Sequence, residues 1–161
     1  MAFDIPTHME LWKKSVDVQT HFNDIGWRIR ALGLTALTFT FGTTFIAYTN
    51  GKPLELWYQQ ASPASLIPII GLVLWASFWF MDAAWYHRLL IGAVKDAARL
   101  EALLQKNGIQ VELGKSISES SRVWFFWTNR GLHSTAKLNV YYGMIGAALL
   151  FTAWFIFTRG A

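Results

Sequence analysis

The chain has 161 residues and contains no cysteine. A disulfide framework, a CxxC redox pair, a thiolate nucleophile, a Cys-held iron–sulfur cluster and a Cys-ligated zinc site are therefore excluded. Charge is also scarce, because 15% of the residues are charged, whereas soluble domains hold about 25%. Since 53% of the residues are hydrophobic, the composition argues against an ordinary soluble domain and favours a membrane protein.

Three long stretches of the chain contain no charged residue. These stretches run from Ala31 to Gly51, from Leu56 to Met81 and from Leu138 to Thr158. A helix needs about 20 apolar residues to cross a hydrocarbon core of about 30 Å. The pattern predicts an all-α membrane protein with three transmembrane helices, near residues 30–49, 64–82 and 137–157.

Lysine and arginine are distributed unevenly around these stretches. Of the 14 basic residues, only Lys52 and Arg159 lie outside the N-terminal segment and the segment between the second and third spans. The positive-inside rule places such segments in the cytoplasm. We expect a multi-pass protein of the bacterial inner (cytoplasmic) membrane, with the N-terminus inside and the C-terminus outside. The N-terminal 30 residues hold four acidic side chains and no continuous apolar run, and they predict no signal peptide.

Four parts follow from this topology. Residues 1–30 form a cytoplasmic amphipathic helix and residues 31–82 a transmembrane hairpin. Residues 83–136 form a cytoplasmic helix and linker, and residues 137–161 the third transmembrane helix with a short outer tail. The first helix begins with Thr7 and Glu10 in capping-box spacing. Its apolar stripe, which lies on one face, consists of Leu11, Val18, Phe22, Ile25 and Ile29.

The second span continues into a long cytoplasmic helix that ends at Asn107 and Gly108. A heptad seam typical of coiled coils follows this extension. Its residues, assigned to an oligomer seam, are Tyr86, Leu90, Ala93, Ala97, Leu100 and Leu104. The N-terminal helix of the same chain, that of a second copy, or both are expected to cover this seam. Residues 109–121 are predicted to be a linker with a short strand.

Charged and polar side chains collect near the inner ends of the second and third spans. This cluster predicts a site at which a ligand or partner docks, with headgroup anchoring as the alternative. The docking residues are His87, Arg88, Arg122, Arg130, His133 and Lys137. Asp82 is expected to pair with Arg88 or Arg130.

Small and hydroxyl side chains recur every fourth residue in the first span. Ala36, Thr40 and Thr44 line one face there. Such a face lets membrane helices approach closely. The functional alternative is a weakly selective pore lining contributed by several subunits.

Motifs of conventional catalysis are missing from the sequence. There is no HExxH, GxSxG, P-loop or GxGxxG pattern. The sequence therefore predicts no enzyme, no catalytic residue, no metal ligand and no cofactor. A haem- or quinone-type membrane subunit is kept as a second alternative, since His87 and His133 flank the inner ends of two spans.

The architecture of residues 7–107 resembles that of the bacterial SLATT-type membrane proteins. A cytoplasmic helix precedes a short hairpin of spans, and the second span runs on as MDAAWYHRLLIGAVKDAARLEALL. The resemblance implies oligomerisation in the inner membrane and a role as a pore-forming effector in antiviral defence. The third span departs from the two-span pattern of that family.

The principal functional expectation is thus an oligomeric effector or channel-like protein of the inner membrane that acts as a membrane-disrupting component of defence. The first alternative is a non-catalytic anchor or sensor that recruits a cytoplasmic partner. The expected partners are the lipid bilayer, further copies of the chain, and a cytoplasmic protein or nucleotide signal. No sequence-specific binding of nucleic acid is expected.

Overall fold

A computed structural model describes residues 4–50, 54–56, 59–61, 63–120 and 134–159. Helix α1 spans Ile5–Asn50. It is followed by strands β1 (Leu54–Leu56) and β2 (Gln59–Ala61) and by helix α2 (Pro63–Trp79). A π-helical segment, Phe80–Tyr86, leads into α3 (His87–Lys106). Helices α4 (Leu113–Ser120) and α5 (Ser134–Arg159) complete the described chain.

Three helical stretches are long and apolar enough to cross a membrane. They are Ile5–Asn50, Ala64–Lys106 and Ser134–Arg159. This result confirms the predicted helical architecture with three candidate spans. Most of their large apolar side chains are exposed, including Phe39 at 73% and Met144 at 70%. Such exposure fits helices whose surroundings are lipid rather than water.

The chain divides into two compact units. One, the membrane unit, comprises residues 28–82 and 138–161. The other, the helix-pair unit, comprises residues 1–27 and 83–137. Each unit has its own buried residues. In the membrane unit Leu149 is fully buried, and in the helix-pair unit Leu104 is fully buried.

The N-terminus of α1 differs from the predicted capping box. The helix begins at Ile5, before Thr7. The Thr7 hydroxyl donates to the carboxylate of Asp4, and the backbone N–H of His8 donates to the Asp4 carbonyl at 3.2 Å. Asp4 therefore takes the place at the helix start that the sequence predicted for Thr7.

The connection after α3 lacks the predicted strand and contains a helix that was not predicted. Gly108 adopts a positive φ of 87°, a conformation that favours glycine, and ends α3 as expected. Residues 109–112, where the short strand was predicted, are irregular, and residues 113–120 form a helix where a polar linker was predicted. A side chain of α3 stabilises the start of this helix, because the Glu101 carboxylate accepts the backbone N–H of Gly114 at 3.1 Å. Glu101 is 13 residues earlier in the chain, so sequence spacing does not reveal this contact.

A short hairpin connects α1 to α2. Strands β1 and β2 pair antiparallel, with Leu54 opposite Ala61 and Leu56 opposite Gln59. The sequence predicted only a loop in this region.

Candidate functional site: a buried ion pair in the membrane unit

The membrane unit contains a buried carboxylate, that of Asp82, which is 1% exposed. Arg30 on α1 donates to it through Nε at 2.7 Å and through Nη2 at 3.2 Å. The hydroxyl of Tyr142 on α5 donates to the same carboxylate at 3.1 Å. Three donated hydrogen bonds thus join α1, the π-helical segment and α5 at one point.

Burying the Asp82 carboxylate costs free energy unless partners compensate for the lost water. A charged carboxylate that leaves water loses its hydration, and only well-placed charge and hydrogen bonds offset that loss. The guanidinium of Arg30 supplies two donors in a fork that matches the carboxylate. Its side chain is 25% exposed, so one partner keeps access to the surface while Asp82 does not.

Aromatic packing fixes the orientation of Tyr142. The indole Nε1 of Trp75 donates to the Tyr142 carbonyl at 2.9 Å. The ring of Trp75 lies against the Tyr142 ring, with centroids 4.8 Å apart. A side chain at Gly33 would approach the Trp75 ring to 3.2 Å. Glycine there lets α1 come close enough for Arg30 to reach Asp82.

Asp82 lies in the π-helical segment. The sequence predicted a regular α-helix through this region. A π-helix is a rare departure from α-helical hydrogen bonding, and such segments occur frequently at functional sites. The irregular backbone and the buried charge coincide at the same residue, which makes Asp82 the centre of the candidate site.

An open groove of about 360 Å³ runs along α2 and α5 beside this site. Its walls are mainly apolar, and one of its polar contacts is the bond from Trp79 Nε1 to Asn139 Oδ1 at 3.1 Å. The lining residues are Leu72, Trp75, Ala76, Trp79, Asn139, Tyr142, Gly143 and Gly146.

The chemistry available to this site is electrostatic. A carboxylate held by a guanidinium and a phenol ties the three helical segments together through charge and hydrogen bonds. Among the residues that the structure describes, no three His, Cys, Asp or Glu side chains lie close enough to hold a metal ion.

The predicted docking cluster is only partly on the surface. His87 is buried at 7% exposure, and its Nε2 lies 3.1 Å from the Ser134 hydroxyl and 3.2 Å from that of Thr135. A buried imidazole engaged by two hydroxyls is not an open docking group, so this part of the prediction is corrected. Arg88 is exposed and Lys137 is half-buried.

The other three docking residues, Arg122, Arg130 and His133, lie outside the described residues. The expected partner of Asp82 is corrected as well, because the carboxylate pairs with Arg30 rather than with Arg88. Arg30 is the last charge before the first span, and Asp82 is the first charge after the second. This placement could have predicted the ion pair, because the start of the first helix and the end of the second lie side by side in a helical hairpin.

The heptad seam is covered within the chain, by α1. Ala97, Leu100 and Leu104 are buried, while Tyr86, Leu90 and Ala93 are half-buried. The side chains of Ser15 and Gln19 donate to the Ala93 carbonyl at 3.2 and 3.3 Å. The N-terminal helix of the same chain therefore contacts this seam, as the intramolecular alternative predicted.

Only the C-terminal part of the predicted apolar stripe of α1 contacts the seam, where Phe22 lies against Tyr86 with ring centroids 6.4 Å apart. Leu11 and Val18 are 47% and 44% exposed. Trp12, Ser15 and Gln19 make the contacts instead, with Trp12 Nε1 donating to the Glu101 carboxylate at 3.2 Å. Hydrogen bonds to backbone carbonyls and to Glu101 favour this polar face over the apolar one.

The predicted pore lining has a packing role. Thr40 and Thr44 are buried, at 7% and 3% exposure. Their hydroxyls donate to the carbonyls of Ala36 and Thr40, at 2.8 and 2.7 Å. Gly71 on α2 lies so close that an added Cβ would fall 2.4 Å from Thr40 Cγ2. This packing leaves no exposed hydroxyl at either threonine.

Comparisons with family models, with curated proteins and with solved structures found no match to this chain. Function is therefore inferred from the residues and their geometry.

Proposed function

We propose that the chain is a multi-pass protein of the bacterial cytoplasmic membrane, with its N-terminus inside and its C-terminus outside. Three apolar helices of sufficient length support this. The concentration of basic residues before the first span and between the second and third supports the orientation.

In that membrane the chain acts as an oligomeric, channel-like effector, and the site around Asp82 holds the spans together in the resting state. The buried ion pair is the observation that carries this proposal. Ionisable side chains within membrane helices are rare, and they commonly mark ion pathways or switches. Here the pair joins three helices at one point, so breaking it would free their ends. The likeness to SLATT-type effectors is consistent with this role.

Ion release from reconstituted vesicles tests the proposal. Asp82→Asn keeps the size of the side chain but removes the charge that holds Arg30. We expect this variant to raise the rate of ion release about tenfold over wild type, the effect of weakening the resting state by about 1.4 kcal/mol. The matched control is Tyr141→Phe, which removes a neighbouring hydroxyl with no bond to Asp82. Equal rates for wild type, Asp82→Asn and empty vesicles would contradict the proposal.

A second candidate is a non-catalytic membrane anchor that presents its helix-pair unit to a cytoplasmic partner. The contact between α1 and the heptad seam of α3 favours this role, because α1 of the same chain covers the seam without a second copy. An anchor predicts a monomeric particle in nanodiscs and no ion release. The channel-like role predicts the opposite result in both measurements.

A further inference from the structure

The helix-pair unit is built from α1 and α3 packed antiparallel. Along the pair, Trp12 contacts Glu101, Gln19 contacts Ala93, and Phe22 lies against Tyr86 with ring centroids 6.4 Å apart. Successive residues of an α-helix are about 100° apart around its axis. The faces that point away from this contact are therefore fixed for both helices.

The outer face of α3 is basic. Arg88, Lys95, Arg99 and Lys106 lie along one line opposite the seam, and all four are exposed. Among the described residues none of them makes an ion pair. The acidic residues of α3 lie elsewhere, since Glu101 is buried in the contact with α1 and Asp96 flanks it.

The outer face of α1 is mainly acidic. Glu10, Asp17 and Asp24 recur every seventh residue opposite the face that packs on α3, and all three are exposed. Lys13 and Lys14 flank this acidic line on its two sides, between Glu10 and Asp17, and both are exposed. The unit thus has an acidic edge on one helix and a basic edge on the other.

We propose that the acidic edge of one copy binds the basic edge of the next. If the second copy repeats the antiparallel register found within the chain, Glu10 lies opposite Arg99, Asp17 opposite Lys95, and Asp24 opposite Arg88. Three opposite-charge pairs then form at one interface, in a register that sequence spacing and the observed contacts both specify. Such complementarity determines partner and register more than raw affinity.

The interface joins two different edges, so it is heterologous. Contacts of this kind close into a ring or extend as an open array. Copies in one membrane share one orientation, and the proposed contact preserves it. This inference rests on the proposed oligomeric function and names the surface through which the copies assemble.

Charge reversal with rescue tests the contact in nanodiscs of neutral phospholipid, with particle mass as the measurement. Lys95→Glu with Arg99→Glu should lower the assembled fraction about tenfold, and so should Glu10→Lys with Asp17→Lys. Combining all four substitutions in one chain should restore assembly. All four side chains are exposed, so circular dichroism should show an unchanged helix content in each variant.

Disulfide cross-linking tests the register, because the chain contains no native cysteine. Chains with Asp17→Cys are mixed with chains carrying Lys95→Cys and treated with an oxidant. We expect disulfide-linked dimers from the mixture and none from either variant alone. A single chain carrying both substitutions should give a ladder of multimers, because the two positions face away from each other within one copy.

The outcomes separate this inference from the proposed function. A monomeric wild-type particle overturns both. A multimeric wild type whose mass survives the reversals, and whose cysteine mixture gives no cross-link, overturns only the proposed edges. Assembly that requires anionic phospholipid would show that the basic edge binds headgroups, which also overturns the contact between copies.

Discussion

Replacing Tyr142 with phenylalanine removes one oxygen atom from the buried site. The phenol donates to the Asp82 carboxylate at 3.1 Å, and Tyr142 is 4% exposed. The change leaves the aromatic contact with Trp75 in place. Its effect on stability therefore reports the hydrogen bond alone.

The expected size of that effect follows from the chemistry of the acceptor. Hydrogen bonds to charged groups contribute about 1.5–3 kcal/mol in soluble proteins. Bonds between membrane helices average about 0.6 kcal/mol and reach about 1.7 kcal/mol. The acceptor forms a salt bridge with Arg30 and is 1% exposed, which places this bond at the upper end of the membrane range. We expect a loss of about 1.5 kcal/mol, about a tenfold change in the unfolding equilibrium constant.

Denaturant unfolding of the protein in nanodiscs measures this loss. Tyr141→Phe is the matched control and should change the free energy of unfolding by less than about 0.5 kcal/mol, because its hydroxyl has no hydrogen-bond partner among the described residues. In an Asp82→Asn background the effect of Tyr142→Phe should shrink, since the charged acceptor is gone. Equal losses for the two tyrosine variants would refute the assignment of this bond.

Three further changes test the packing of the two units. Gly71→Ala should destabilise the protein by about 1–3 kcal/mol through overpacking against Thr40, and Thr40→Ser, which removes the clashing methyl group, should restore most of the loss in a thermal melt. Glu101→Gln should lower the stability by about 1–3 kcal/mol, because the amide replaces a charged acceptor that caps α4; an unchanged melt would contradict that cap. Leu104→Ala should cost about 2–5 kcal/mol, whereas the half-exposed Leu113→Ala should cost less than about 1 kcal/mol; equal costs would argue against the packing of the helix-pair unit.

The long helices could be predicted because their signals are local. Charge-free runs and hydrophobicity belong to single segments, so they need no knowledge of what packs against them. The heptad seam on α3 was likewise visible, and Leu100 and Leu104 are buried as the spacing implied. The end of α3 at Gly108 could also be predicted locally, because glycine readily adopts the positive φ that ends a helix.

The candidate site could not be read in the same way, because its partners are far apart in sequence. Arg30 and Asp82 are separated by 52 residues, and Tyr142 is 60 residues beyond Asp82. Hydrophobic periodicity predicted only part of the contact face of α1, where Phe22 packs against Tyr86 as the spacing implied. Leu11 and Val18 form the more apolar face, yet Ser15 and Gln19 pack on α3, since hydrogen bonds to a specific carbonyl depend on the tertiary arrangement and not on period.

The most direct measurement of the central claim is the mass of the wild-type particle in nanodiscs, with mild cross-linking in native membranes as a check. An oligomeric, channel-like effector predicts a defined particle of at least about four copies, as a pathway lined by several subunits requires. A monomer or dimer in both preparations would contradict the account and favour the anchor.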